Sequence, residues 1–409
     1  MTSIDAEAGS TGGGLLRYVL AATLARSADG GAVVAIVLLV TVSGGPGWLA
    51  GLLGAAITAP HLLGPFIARS LDTARDGRTV IAVACLCHGA GLAAAVLLYP
   101  VAWFGVTAAL LAAAGVFGPL LTGGISSRLP AIAGPTREAQ RRAQGWDVAT
   151  YGIGGTIGPT VVAVLAAWAT PALAALVLAG ATFIAAILVR LLPPSAPSNR
   201  PAEVPQPLQT LRLMLARGPL RRTLYLTVSV ALSVAALPIT AVASSGVLQI
   251  PSSAAAVLTA AYGLGGLVAS GIITVRPLPG DADRSMTWLA LAVGATLLAI
   301  TFTGLFWAAT VGYALAGALN SSFFAATLAA RSEYAPASAR GQVFVWIGAL
   351  KITAGSAGTA LAGALVVGAL HLPLALGIAL TAVAALASLL DRRIAGPAVG
   401  PDGGLRAPK

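Results

Sequence analysis

Apolar runs of about twenty residues recur along the chain and are separated by short polar stretches. A run of this length fits an α-helix that crosses a bilayer, whereas a β-barrel strand is shorter and alternates apolar with polar positions. We therefore predict an all-α polytopic membrane protein. The pattern places twelve spans near 15–40, 47–68, 79–99, 101–124, 146–168, 171–191, 223–246, 254–275, 286–304, 306–329, 343–368 and 371–390.

The longest polar stretch, 193–222, divides these spans into two sets of six. Its first part is rich in proline and cannot be helical throughout, while 208–215 is predicted as a short surface helix. Gly-rich segments that resemble each other open spans 5 and 11, which indicates a parallel repeat of two halves. The expected organisation is an irregular N-terminal tail, a six-helix bundle, a central loop, a second six-helix bundle and a tail, at 1–14, 15–192, 193–222, 223–390 and 391–409.

Composition excludes a water-soluble fold. The chain is 57% hydrophobic and 9% charged, with a mean hydropathy of +0.89, whereas soluble domains carry about 25% charged residues. The net charge of +11 does not predict nucleic-acid binding, because the arginines lie at the ends of apolar runs and do not cluster on a soluble domain.

Basic residues occur only in alternate connections. Arginines follow spans 2, 4, 6, 8, 10 and 12, whereas the other connections contain neither Lys nor Arg. Because basic connections favour the cytoplasmic side, this alternation predicts that both termini and the central loop are cytoplasmic. We expect the protein in the cell membrane, as a multi-pass protein and a monomer.

Two segments carry a family resemblance. The connection between spans 2 and 3 reads ARSLDTARDGRTV. It resembles a motif of the major facilitator superfamily, in which a small residue precedes an acid, a basic residue, a glycine and a second basic residue. Ala68, Asp72, Arg75, Gly77 and Arg78 match these positions, with two residues inserted after Asp72. The resemblance implies a charge network at a cytoplasmic gate, with Gly77 permitting a tight turn. The alternative is an ordinary solvated loop.

The second segment lies in span 5. Gly145, Gly154, Gly158 and Pro159 match the spacing of a motif found in efflux-type members of the same family, although the motif's final glycine pair is absent. Glycines four residues apart allow two helix backbones to approach closely, and proline removes a backbone hydrogen bond. The alternative is generic small-residue packing.

The resemblance implies the major facilitator fold and a secondary transporter, of the kind that exchanges protons for an exported small amphipathic molecule. An uptake permease of the same fold is the alternative. A membrane enzyme is a remote one, because the three histidines are scattered and no acidic cluster accompanies them. We expect no cofactor, metal, catalytic residue or nucleic-acid partner. The expected partners are the small-molecule substrate, the proton and the lipid bilayer.

Charged residues inside the spans are the candidate site. Arg26 and Asp29 are three residues apart in span 1 and can neutralise each other on one helix face. The family resemblance implies that span 1 lines a cavity, where Asp29 takes up the proton and Arg26 alternates between Asp29 and substrate. A purely structural ion pair is the other possibility.

Five further residues are considered, and all of them except His88 have two readings. Lys351 lies about 12 Å into span 11 and is either a cavity charge or paired with a backbone carbonyl. Asn320 in span 10 binds either substrate or another helix. Asp147 is either a helix cap or a gate partner. His61 and His88 are interpreted as packing residues, although His61 can titrate near neutral pH.

Overall fold

The computed structural model describes residues 3–194, 203–251, 254–366 and 368–395, and within these ranges every regular element is helical. The α-helices are α1 (Ser3–Val42), α2 (Gly47–Thr58), α3 (Gly64–Thr73), α4 (Gly77–Leu98), α5 (Phe104–Pro119), α6 (Leu129–Ile132), α7 (Arg137–Trp168), α8 (Pro171–Arg190), α9 (Pro207–Ala216), α10 (Gly218–Val234), α11 (Leu237–Ala243), α12 (Ala255–Val275), α13 (Ala282–Phe302), α14 (Phe306–Tyr334), α15 (Arg340–Val366) and α16 (Leu372–Ala395).

In the described part of the chain, 12 helical segments are long and apolar enough to cross a membrane. This confirms the predicted all-α class and number of spans. Spans 1, 3, 5 and 6 correspond to α1, α4, α7 and α8. Spans 8 to 12 correspond to α12 to α16. Spans 2, 4 and 7 are each built from two α-helices in succession.

The breaks in spans 2 and 4 have local causes. A 3₁₀ segment, Ala59–Leu63, joins the two helices of span 2, where Pro60 and Pro65 each lack an N–H for the helical ladder. A π-helical segment, Leu120–Gly124, follows Pro119 in span 4. Breaks of this kind in membrane helices are found where the backbone is buried in protein or lines a polar site.

Three helices start earlier than predicted. Helix α1 begins at Ser3, inside the segment expected to be an irregular tail, because an existing helix gains one hydrogen bond for each residue it adds. Helix α7 begins at Arg137, where the Thr136 side chain accepts a hydrogen bond from the Ala139 N–H. Span 7 begins at Gly218, within the predicted central loop. The surface helix predicted in that loop is α9.

The chain divides into two compact units. The first comprises Met1–Ala143, Thr150–Pro207 and Ala337–Ala349, and the second comprises Gln144–Ala149, Leu208–Pro336 and Leu350–Lys409. Each unit has its own apolar core. Large apolar side chains also project outward from each, such as Ile187 at 62% exposure and Phe302 at 81%. Lipid solvates such surfaces, whereas water does not.

Candidate functional site

The first unit contains an ionisable pair inside its spans. Asp29 lies in the middle of span 1, and its Oδ1 is 3.3 Å from Nε2 of His61. The His61 side chain is almost fully buried and lies in the 3₁₀ segment of span 2. Since a buried charge is costly unless it is paired, this contact marks the position as a candidate site.

Glycines of span 4 make room for the pair. A Cβ atom on Gly118 would lie 2.6 Å from Cε1 of His61 and 2.9 Å from Oδ1 of Asp29. One turn earlier, a Cβ atom on Gly115 would overlap with the backbone carbonyl of Ile57. Spans 2 and 4 therefore approach each other closely where the broken segment of span 2 carries His61.

Arg26 has a different set of partners. Its guanidinium group donates to Oγ of Ser126 at 2.9 Å, to the Thr122 carbonyl at 3.3 Å and to Oγ1 of Thr150. It also stacks on the Tyr151 ring, 3.6 Å from the centroid. These contacts join span 1 to spans 4 and 5 and give the buried cation three oxygen acceptors and an aromatic face.

The spacing of the two charges in span 1 allows them to neutralise each other, but the structure gives each of them other partners. Three helical residues turn by about 300°, so the side chains leave the helix about 60° apart. Asp29 thereby meets His61, while Arg26 meets the hydroxyl groups of spans 4 and 5. His61, interpreted as a packing residue, is the partner of Asp29.

His88 is buried and lies within electrostatic range of the pair. Its Nδ1 atom is 3.1 Å from the Ala114 carbonyl oxygen, and it interacts electrostatically with both Asp29 and His61. Span 3 therefore contributes a second histidine to the surroundings of Asp29.

Spans 1 and 5 meet backbone to backbone. A Cβ atom on Gly158 would overlap with the carbonyl oxygen of Ser27, and one on Gly154 would lie 2.8 Å from Cβ of Arg26. Gly31 completes the contact, because its Cβ atom would lie 2.9 Å from the Gly158 carbonyl carbon. Gly154 and Gly158 therefore form the kind of small-residue contact that their spacing predicts.

The other two positions of that motif differ in setting. Pro159 lies inside α7, which continues to Trp168. Gly145 packs on span 8 within the second unit, where a Cβ atom would lie 2.7 Å from Oγ1 of Thr274. Only the central glycines of the motif therefore lie against Arg26 and its neighbours.

Three candidates lie in the second unit. The Nζ atom of Lys351 is 3.4 Å from the centre of the Phe324 ring, a cation–π contact. The Nδ2 atom of Asn320 donates to the Tyr262 hydroxyl at 2.8 Å, which links spans 10 and 8. Asp147 is buried in the interior of α7 and not at its N-terminus, so its interpretation as a helix cap is wrong.

Asp72, at the end of span 2, caps a helix far along the chain. Its carboxylate accepts hydrogen bonds from the backbone N–H groups of Gly341 at 2.8 Å and Gln342 at 2.9 Å. These N–H groups belong to the first turn of α15, where an anion satisfies free donors and opposes the helix dipole. Gly341 is required there, since its Cβ atom would lie 2.8 Å from Oδ1 of Asp72.

The neighbouring charges are arranged differently from the predicted network. Arg78 pairs with Asp76, at 2.8 Å between Nη2 and Oδ2, and Arg190 reaches the same oxygen at 2.7 Å. The hydrogen bond from Arg78 holds the pKa of Asp76 well below its usual range. Asp76 also caps span 3. Arg75 is exposed. Asp76 was not predicted from the sequence, although an aspartate directly before the start of a helix is a typical capping residue.

Gly77 has a role other than the predicted turn. The glycines with positive φ angles in the described residues are Gly44, Gly134 and Gly280, so Gly77 is not held in a left-handed conformation. A Cβ atom on Gly77 would instead lie 2.7 Å from Nη1 of Arg128. The glycine thus leaves room for the guanidinium group of span 4 close to Asp72.

The central loop is bonded to the same region. Nη2 of Arg69 donates to the Val204 carbonyl at 3.3 Å, and Nε2 of Gln342 donates to the Pro205 carbonyl at 3.1 Å. Nε1 of Trp346 donates to the Pro207 carbonyl at 3.2 Å. Spans 2 and 11 therefore both hold the loop segment 204–207 in place.

The second unit repeats part of this arrangement. Asp281 caps span 9, as Asp76 caps span 3. Arg392, near the end of span 12, pairs with Asp283 at 3.0 Å, as Arg190 at the end of span 6 pairs with Asp76. Arg222 adds a buried contact to Asp283 at 2.9 Å. An acid at the start of the third helix of each half thus meets an arginine from the sixth, which agrees with a parallel repeat.

Solved structures of transporters share this fold. No known protein-family model matches the sequence, and no curated protein matches it. A bacterial homologue of the iron transporter ferroportin, in an outward-facing state, has a TM-score of 0.73 and 15% identity, over 92% of this chain and 98% of that one. The human organic anion transporter MFSD10 has a TM-score of 0.68 and 18% identity, over 93% and 97%. The proton:xylose symporter XylE of the major facilitator superfamily has a TM-score of 0.68 and 14% identity, over 93% of this chain and 96% of that one. The chain therefore has the major facilitator fold.

Proposed function

We propose that this chain, which has the fold of the major facilitator superfamily, is a proton-coupled secondary transporter that exports a small amphipathic molecule by alternating access. The observation that carries the proposal is the Asp29–His61 pair, buried inside the first unit beside two broken spans. In transporters, ionisable groups at such breaks are typical of substrate and ion sites.

A proton is the coupling ion that this site suits. Asp29 and His61 are both titratable, whereas a sodium site would require several oxygen ligands around the ion. Arg26, one turn away, offers a cation with aromatic and hydroxyl surroundings that can contact a polar group of the substrate.

Export is the direction favoured by the close contact of Gly154 and Gly158 with span 1, because the family resemblance associates this motif with exporters. Uptake is the second candidate, since a proton:xylose symporter shares the fold. A metabolite comparison of cells with and without the protein identifies the compound. Everted membrane vesicles then give the direction: an exporter fills them when they are energised, and an uptake permease does not.

We propose that the arginine-bearing connections are cytoplasmic, and single cysteines test this. Cys85 and Cys87 are replaced by Ala, and Arg200→Cys or Gln249→Cys is added. Gln249 is exposed in the connection before span 8, while Arg200 lies outside the described residues. A membrane-impermeant maleimide added to intact cells should label the cysteine at 249 and not the one at 200. Equal labelling from outside contradicts the proposed orientation.

The contact between Asp72 and span 11 is proposed as a gate that closes one end of the transport path. Asp72→Asn should leave the protein folded and inserted but slow transport by about tenfold or more, because hydrogen bonds to a charged group contribute roughly 1.5–3 kcal/mol. Initial transport rates and the size-exclusion profile measure the two effects.

The matched control for the gate is Arg75→Ala, which removes an exposed charge from the same connection. It should transport at the wild-type rate. Equal rates for Asp72→Asn and the wild-type protein would remove Asp72 from the gate.

A further inference from the structure

We propose that the exchanged proton binds to Nδ1 of His61, and that Asp29 is the counter-ion that orients the ring. This inference rests on the proposed proton-coupled transport and deepens it by naming the atom that carries the proton. It assigns a transport role to a histidine that the sequence alone does not distinguish from a packing residue.

The contact with Asp29 fixes which nitrogen is free. Nε2 of His61 lies 3.3 Å from the carboxylate oxygen, and a carboxylate accepts hydrogen bonds. In the neutral ring the hydrogen must therefore lie on Nε2, which leaves Nδ1 with its lone pair. A hydrogen bond from one ring nitrogen sets the state of the other in this way.

The free nitrogen is buried. His61 is 3% exposed, and its Nδ1 atom has no hydrogen-bond partner among the described residues. The backbone carbonyl groups of Ile57 and Thr58 lie beside the ring, so a proton on Nδ1 has acceptors within reach. The nitrogen is thus poised to receive a proton and is not already engaged in packing.

The charged groups around the ring determine what protonation does. Asp29 faces it from span 1, and His88 of span 3 interacts with it electrostatically. Span 4 presents Gly118, which has no charge. Protonation transfers H⁺ from hydronium to Nδ1, forming one N–H bond and releasing water. The pair changes from a net charge of −1 to zero, and release reverses the step.

The backbone around His61 suits a group that changes its exposure. The ring lies in a 3₁₀ segment between Pro60 and Pro65, where the regular ladder of span 2 is interrupted. Such a segment can change its backbone angles without unwinding the helices on either side. His61 can thereby face opposite ends of the transport path in alternate states.

Nuclear magnetic resonance of ring-¹⁵N-histidine protein in lipid nanodiscs tests the proposal, and the proton is the only ligand needed. The chain has three histidines, and His61→Gln and His371→Gln assign the signals. We expect His61 to hold its hydrogen on Nε2 when neutral and to gain one on Nδ1 as the pH is lowered. In Asp29→Asn the titration midpoint of His61 should move to lower pH, because the neighbouring negative charge that favours the protonated ring is lost.

A neutral His61 with its hydrogen on Nδ1, or no protonation of His61 as the pH is lowered, overturns the proposal. The proposal is also overturned if Asp29→Asn leaves the titration midpoint of His61 unchanged. Because the titration involves no substrate, this failure leaves the proposed transport activity standing. A wild-type protein that titrates as expected but ignores a pH gradient in vesicles contradicts the proposed function itself.

Discussion

Replacing Asp29 with Asn should abolish transport against a concentration gradient. A transporter that exchanges one proton for one neutral molecule sustains a concentration ratio of about 10 for each pH unit across the membrane. An amide at position 29 carries no charge in either conformational state of the transporter. The free-energy cost of binding a proton at this site therefore no longer differs between the two states. The variant should therefore reach a ratio of about 1, while exchange of labelled for unlabelled substrate continues.

Proteoliposomes with and without an imposed pH gradient provide the measurement for Asp29→Asn. Glu138→Gln is the matched control, because it neutralises a carboxylate that is exposed and paired with Arg142 at the start of span 5. The control should concentrate the substrate like the wild-type protein. If Asp29→Asn also concentrates it, Asp29 is structural and the coupling proceeds elsewhere.

Gly158→Leu should eliminate transport by a steric effect. The Cβ atom alone would overlap with the Ser27 carbonyl oxygen, and Gly31 lies on the other side of the contact. Backbone atoms cannot yield as a flexible side chain can, so spans 1 and 5 must separate. Inserting bulk into a packed site costs about 1–3 kcal/mol or more, and the separation would also displace Arg26 from Thr150 and Tyr151.

Gly155→Leu provides the comparison for that variant. It adds the same side chain one residue from the same contact region, but at a position where a Cβ atom meets nothing within 4 Å. We expect normal transport from Gly155→Leu and none from Gly158→Leu, at similar levels in the membrane. If both variants are active, the contact between spans 1 and 5 does not restrict the transport cycle.

The elements of this fold could be predicted from the sequence because their signals are local. An apolar run of twenty residues specifies a spanning helix without reference to any other part of the chain. The spacing of Gly154 and Gly158 likewise predicted a helix contact, although it could not name span 1 as the partner. The predicted starts of the helices were less accurate. Thr136, for example, caps α7 well outside the apolar run and so extends the helix.

The partners of the site residues depend on contacts between distant segments. Nothing in span 1 indicates that Asp29 meets span 2 or that Arg26 meets spans 4 and 5. A local signal for His61 did exist, because the prolines at positions 60 and 65 predict an interrupted helix around it. Asp72 was identified from its motif, but its partners are helix N–H groups 269 and 270 residues away.

The long distance along the sequence between Asp72 and Gly341 has a consequence for the synthesis of the protein. Gly341 leaves the ribosome 269 residues after Asp72, roughly ten to fifty seconds later at usual translation rates. Until then the Asp72 carboxylate lacks its donors, and Gly123 lacks the Phe344 backbone that packs on it. The first unit therefore completes late, after most of the second has been made. A chain that ends before Ala337 leaves an unfinished bundle and not a smaller working one.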